Sequence, residues 1–236
     1  MEEPVEAVQA TTTRTTAMAV ALTMTAGLAA ASWIVVVRQM SGMDMGVATE
    51  LGPLGSFLGL WVPMMAAMML PGTVPAVLRH VRDSDRVPAG PLFVAAYLAV
   101  WTLVGVVLHA AYQPHATFTA GVLVLGAGVY EFTPLKRNLR RRCREHVSSG
   151  FAYGLCCAGS SLALMLIPVA LGVMNLAWTA VITVVVTAQK LLPARTAVDV
   201  AQALLIAVLG VLILVAPSSV PGLTPSMTSS VTHSHS

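Results

Sequence analysis

The sequence predicts an all-α fold, a polytopic transmembrane bundle of about seven helices with its N-terminus in the cytoplasm and its C-terminus outside. Three observations carry that prediction. Of 236 residues, 56% are hydrophobic and only 10% charged, and the mean hydropathy is +0.80, more apolar side chain than a soluble core needs. Seven apolar stretches approach the roughly 20 residues that a helix needs to cross a bilayer. With the N-terminus inside, all of the 13 basic residues except Arg38 fall on the cytoplasmic side, as the positive-inside rule requires.

Residues 1–16 form a Thr-rich cytoplasmic leader with Glu2, Glu3, Glu6 and Arg14, expected to be disordered. The first apolar stretch is Ala17–Val37. Its Ala29-Ala30-Ala31 resembles a signal-peptidase site, but the acidic leader and an apolar run continuing to Val37 favour an uncleaved helix. Ser56–Leu78, Pro91–Tyr112, Ala116–Leu135 and Phe151–Leu171 follow. Gly172 and Asn175 supply a turn into Val173–Leu192, and Pro193 separates that stretch from Thr196–Ala216. One bundle therefore spans 17–216, and the Ser, Thr and Pro of 217–236 form an extracytoplasmic, disordered tail. No internal repeat is evident.

Composition also excludes function classes. Three cysteines are too few for a disulfide scaffold and read as free thiols. The basic residues sit in short segments between apolar stretches, where topology and anionic headgroups explain them, so no nucleic-acid partner is expected. No catalytic triad, phosphate loop or carboxylate pair appears, which argues against soluble-type hydrolysis or phosphoryl transfer.

What remains is soft-metal chemistry. Met40, Met43 and Met45 form M-x-x-M-x-M in a segment expected to be a wet external loop. Thioether sulfur prefers Cu(I) and stays neutral at every pH, so a copper site and an interfacial packing role are both open there. In "PMMAAMML", Met64 pairs with Met68 and Met65 with Met69, each four apart and so one helical turn apart. Such a ladder is a metal path or ordinary close packing. Pro63 and Pro71 bracket it and predict a kinked helix lining an interior. His109, toward the outer end of its helix, is a candidate nitrogen ligand beside Met64, Met65 or Met68, and His115, His233 and His235 are external candidates. Glu131 is expected to pair with the adjacent basic segment or with Lys190. The segment "KRNLRRRCREH", 136–146, reads as a loop that anchors to anionic headgroups. Within and after it, Cys143, His146, Cys156 and Cys157 are soft donors on the cytoplasmic side. Adjacent Cys156 and Cys157 point to different helix faces, so convergence of all four is not expected, while the surrounding charge should favour the Cys143 thiolate.

The blocks "WVPMMAAMMLPGTVP", "YEFTPLKRNLRRRCREH", "GLCCAGSSLALML" and "GVMNLAWTAVITVVVTAQKLLP" together resemble the domain-of-unknown-function 2182 family of metal-binding integral membrane proteins, over about residues 56–193. The resemblance implies a bacterial polytopic membrane protein with a metal site and no defined reaction. It carries Trp61, Met64, Met65, Met68, Met69, Pro71, Tyr130, Thr133, Pro134, Leu135, Lys136 and Cys143. Further along it carries Cys157, Met165, Gly172, Met174, Asn175, Trp178, Lys190 and Pro193. Ser160 and Ser161 stand where the family often has cysteines, which puts a thiolate-rich site in doubt. The family's carboxylate also shifts between the positions of Glu131 and Gln189, which implies that those two helix ends are neighbours sharing one buried carboxylate.

Three functions fit. The first is copper handling, the capture, delivery or transport of Cu(I) in the cytoplasmic membrane with a membrane or extracytoplasmic copper-protein partner. The second is a subunit of a membrane copper oxygenase or redox complex, which would want more imidazole than His109 and His115 offer. The third is a metal-free structural scaffold.

Overall fold

The computed structural model describes residues 3–41, 52–84, 86–111, 117–145, 149–171, 176–191 and 196–216. Among them all regular structure is helical. In chain order the helices are α1 (Glu3–Met40), α2 (Leu54–Met69), α3 (Val74–Ser84), α4 (Ala89–Ala111), α5 (Thr117–Glu131), α6 (Pro134–Glu145), α7 (Gly150–Leu171), α8 (Leu176–Leu191) and α9 (Thr196–Val215), with a 3-10 turn at Pro71–Thr73.

The seven expected stretches yield more helices than seven because two of them are broken at prolines. Pro71 has no N–H and its ring clashes with the preceding turn, so α2 ends at Met69 and the chain bends by 47° into Pro71–Ser84. Pro63, by contrast, lies within a continuous α2. At the second break, Pro134 occupies the first position of α6, and the Thr133 hydroxyl accepts the Lys136 N–H at 3.4 Å. The bend there is 66°. The basic segment expected as a loop is thus mostly the amphipathic helix α6, which turns Lys136, Arg140 and Cys143 inward and Arg137, Arg141 and Arg142 outward. By length and apolar composition, Thr11–Met40 and α4 can cross a membrane, and up to 4 spans result if each bent pair counts as one. The apolar parts of α7, α8 and α9 within the described residues are shorter.

Small residues bring these helices close. The buried positions of α1 are Ala17, Ala21, Thr25, Ala29, Ser32, Val36 and Met40, a single stripe at three- and four-residue spacing. Gly90 packs on that stripe, since a Cβ built there would lie 2.6 Å from the Cβ of Ala21. At Gly105 a Cβ would meet Trp61 Cδ1 at 2.4 Å, so α4 accepts the indole only because the position is glycine. Arg14 donates to the carbonyl of Arg82 at 2.8 Å and ties α1 to the end of α3. Arg14 and Arg38 lie about 36 Å apart along α1, roughly the thickness of a bilayer core.

Gly150 gives the sharpest test of this packing, because a Cβ there would sit 2.1 Å from the Phe93 carbonyl oxygen, backbone that cannot step aside. Gly150→Ala should destabilise the protein by about 1–3 kcal/mol. Thermal unfolding in detergent should report a lowered midpoint, while Gly55→Ala, whose Cβ meets nothing within 4 Å, should leave it unchanged.

Candidate metal centre

Helix α2 is where the interior is densest. From Met64 to Leu70 every residue is buried, so the helix is enclosed around its whole circumference rather than on one stripe. Met64, Met65, Met68 and Met69 are at most 1% exposed. Their i, i+4 spacing sets the Cβ atoms of each pair about 5–6 Å apart, one turn of helix. Phe57 stacks on Trp61 at 5.5 Å between ring centroids, and the Trp61 indole N–H donates to the Trp101 carbonyl at 2.9 Å, fixing α2 against α4.

The proline break gives the ladder its lower end. The Met69 carbonyl accepts the Thr73 hydroxyl at 2.7 Å and the Lys190 ammonium at 3.2 Å. Lys190 Nζ also lies 3.7 Å from Met69 Sδ, 3.4 Å from Thr73 Oγ1 and 3.1 Å from the Tyr97 hydroxyl, and 5.5 Å from the centre of the Tyr97 ring. A carbonyl, two hydroxyls, a thioether and a π face therefore surround this ammonium, all of them neutral donors to a cation. Tyr97 continues the array, with its hydroxyl 3.2 Å from Cys157 Sγ.

The expected ligands scatter around this centre. His109 is turned away from the ladder: its Nε2 is 2.9 Å from the Gly52 carbonyl and its ring 5.2 Å from that of Phe57, about two helical turns from Met64. Met40 is the last residue of α1 and 4% exposed, a core residue rather than part of a wet loop. Met43, Met45, His115, His146, His233 and His235 lie outside the described residues. Cys157 is buried, and Cys143 faces the same cavity of about 220 Å³ between α3, α6, α7 and α8. Cys143 is partly buried there, on the side of α6 away from the outward Arg137, Arg141 and Arg142. No group of three or more His, Cys, Asp or Glu converges as a metal site among the described residues. The donors present at the buried centre are thus neutral: the thioethers are soft, and the hydroxyls and the carbonyl are hard.

Glu131 pairs with Lys136, the adjacent basic segment, and not with Lys190. Gln202 Nε2 donates to Glu131 Oε2 at 3.1 Å while Gln202 Oε1 accepts from Gln189, so the ends carrying Glu131 and Gln189 are neighbours around one buried carboxylate. Arg140 donates to the Gln189 carbonyl at 2.7 Å and closes the network. Thr73, Tyr97 and Gln202 were not legible as site residues. Gln202, which shares a mostly apolar stretch with Thr196 and Asp199, carried the one signal that could have found it.

A family model described as PpoB2, copper chaperone, matches residues 58–213, more than half of the chain. The match contains the methionine ladder, Lys190 and all three cysteines, and leaves Met40, Met43, Met45 and the C-terminal histidines outside. No curated protein and no solved structure matches the chain.

The buried pair predicts an asymmetric response. Lys136→Met should cost about 3–5 kcal/mol by stranding a buried carboxylate, and adding Glu131→Gln should recover much of that loss. Denaturation midpoints of the two variants in one detergent check both.

Proposed function

The chain belongs to the PpoB2 copper-chaperone family. From that premise we propose that it is an integral protein of the cytoplasmic membrane that holds Cu(I) on the thioethers of Met64, Met65, Met68 and Met69 and hands it to a copper-dependent partner protein. In this reading the chain crosses the bilayer seven times with its N-terminus inside, each bent pair counting as one span. The short apolar helices α7, α8 and α9 complete the count. The resemblance to the domain-of-unknown-function 2182 family covers much the same stretch and is part of the same proposal.

One observation carries the reading: four thioethers sit fully buried on a helix whose end is held by a lysine ammonium. Many apolar side chains could pack at this depth, yet an ammonium against Met69 Sδ indicates a lining that already accommodates a monovalent cation. Thioethers bind Cu(I) without releasing a proton, so uptake and release there need no change of pH. They leave zinc poorly served, because zinc is bound by thiolate, imidazole and carboxylate. Met43, Met45 and His115 remain candidates for an outer handover point, and the outward basic face of α6 for anionic headgroups.

Changing all four ladder methionines to leucine nearly conserves volume, so the variant should fold with a loss of less than about 1.5 kcal/mol per site. After anaerobic loading, the wild type should retain Cu(I) and little zinc, and the variant should retain less Cu(I) than the wild type. Equal copper in both proteins would reduce the ladder to packing.

A further inference from the structure

The cavity between α3, α6, α7 and α8 has an unusual lining for the interior of an apolar protein. Among the described residues its lining carries Arg79 and Arg140, each with interactions of its own, Lys190 and no carboxylate, together with the thiols of Cys143 and Cys157. Pro75, Arg79 and Leu191 on its rim are exposed, so it opens to the surface at the basic end of the bundle, the end that the positive-inside rule assigns to the cytoplasm. Three cations around about 220 Å³ make a site for an anion, and two thiols in the same wall make it a site for a soft metal. Copper in a reducing compartment satisfies both conditions at once, because Cu(I) held by two thiolates carries a net charge of about −1.

We propose that this cavity is where the chain receives copper, by docking an anionic Cu(I)–thiolate donor and taking the ion onto Cys143 and Cys157. The inference rests on the copper reading above and adds the entry point and the chemical form of the cargo. The step is a ligand exchange: a Cys sulfur forms a new bond to copper, a donor sulfur leaves, and the Cys proton passes to the departing thiolate. Copper remains Cu(I) throughout, and no oxidant or reductant is needed.

The way onward is continuous. Cys157 Sγ touches the Tyr97 hydroxyl at 3.2 Å, that hydroxyl accepts from Lys190 at 3.1 Å, and Lys190 reaches Met69 Sδ at 3.7 Å. Lys190 lines the cavity and holds the end of the ladder at the same time. Like charges repel, so the ammonium resting on the Met69 sulfur slows the arrival of Cu(I) there. An anion in the cavity draws the flexible lysine toward itself and frees that sulfur. Lys190 is in this sense a positioning residue that couples arrival of the donor to opening of the ladder.

The test uses the full chain in nanodiscs of zwitterionic lipid and two copper sources, the Cu(I)–glutathione complex and Cu(I) as its acetonitrile complex. From the glutathione complex the wild type should take up copper at a rate that falls as salt is added. The double variant C143S/C157S should be at least about tenfold slower from that source, and R79Q slower and less salt-dependent. Both should still load fully from the acetonitrile complex, which needs no thiol exchange. Wild-type rates from glutathione in C143S/C157S, or a salt-independent rate unchanged in R79Q, would overturn the proposal. Failure of the wild type to load from acetonitrile would instead remove the ladder reading, and the entry site with it.

Discussion

Enclosure of the second half of α2, from Met64 onward, on every side is the constraint from which the rest of the structure follows. A helix buried around its full circumference must be approached closely by its neighbours, and close approach demands small residues where they touch. Ala66 and Ala67 on α2, Gly105 opposite Trp61 and Gly72 against Lys190 meet that demand. Methionine then fills the remaining irregular space, being unbranched and adaptable. The same side chains that make such enclosure possible are therefore soft ligands. Close packing and the proposed copper binding would both follow from one choice of residue.

Two lysines at the basic end of the bundle, Lys136 buried and Lys190 partly buried, are treated in opposite ways. Lys136 has a carboxylate, Glu131, and with Gln202, Gln189 and Arg140 it forms a polar knot that fixes α5, α6, α8 and α9. Lys190, one residue beyond that knot, is held by neutral groups alone, among them a thioether. A paired charge is costly to separate, whereas an ammonium held by carbonyl, hydroxyl and sulfur exchanges its partners at smaller cost. The first arrangement suits architecture. The second suits a residue that moves when cargo arrives.

Much of this was legible in the sequence because it depends on local rules. Apolar length located the apolar helices though not α6 or the start of α1 at Glu3, Pro71 and Pro134 had the residue type that breaks helices, and the spacing of Met64, Met65, Met68 and Met69 fixed their stacking. The proximity of Glu131 and Gln189 was also foreseeable, through the family resemblance and not through spacing. Other features depend on contacts between distant segments and had no local signal. A dense run of arginines reads equally as a loop or as the charged face of α6. Lys190 could have met Glu131, and the break at Pro71 instead presented it with the Met69 carbonyl. Met40 looked wet because α1 was expected to end three residues earlier than it does. Adjacent Cys156 and Cys157 do diverge, and it is α6, folding back on α7, that brings Cys143 to the cavity Cys157 lines.

The central claim is that the ladder sulfurs are copper ligands, and X-ray absorption on selenomethionine-labelled protein loaded with Cu(I) addresses it atom by atom. The account predicts selenium in the first shell of copper, and copper in the first shell of part of the selenium, in a protein whose cysteines have all been changed to serine. A copper shell of nitrogen, oxygen or cysteine sulfur with no selenium would contradict it.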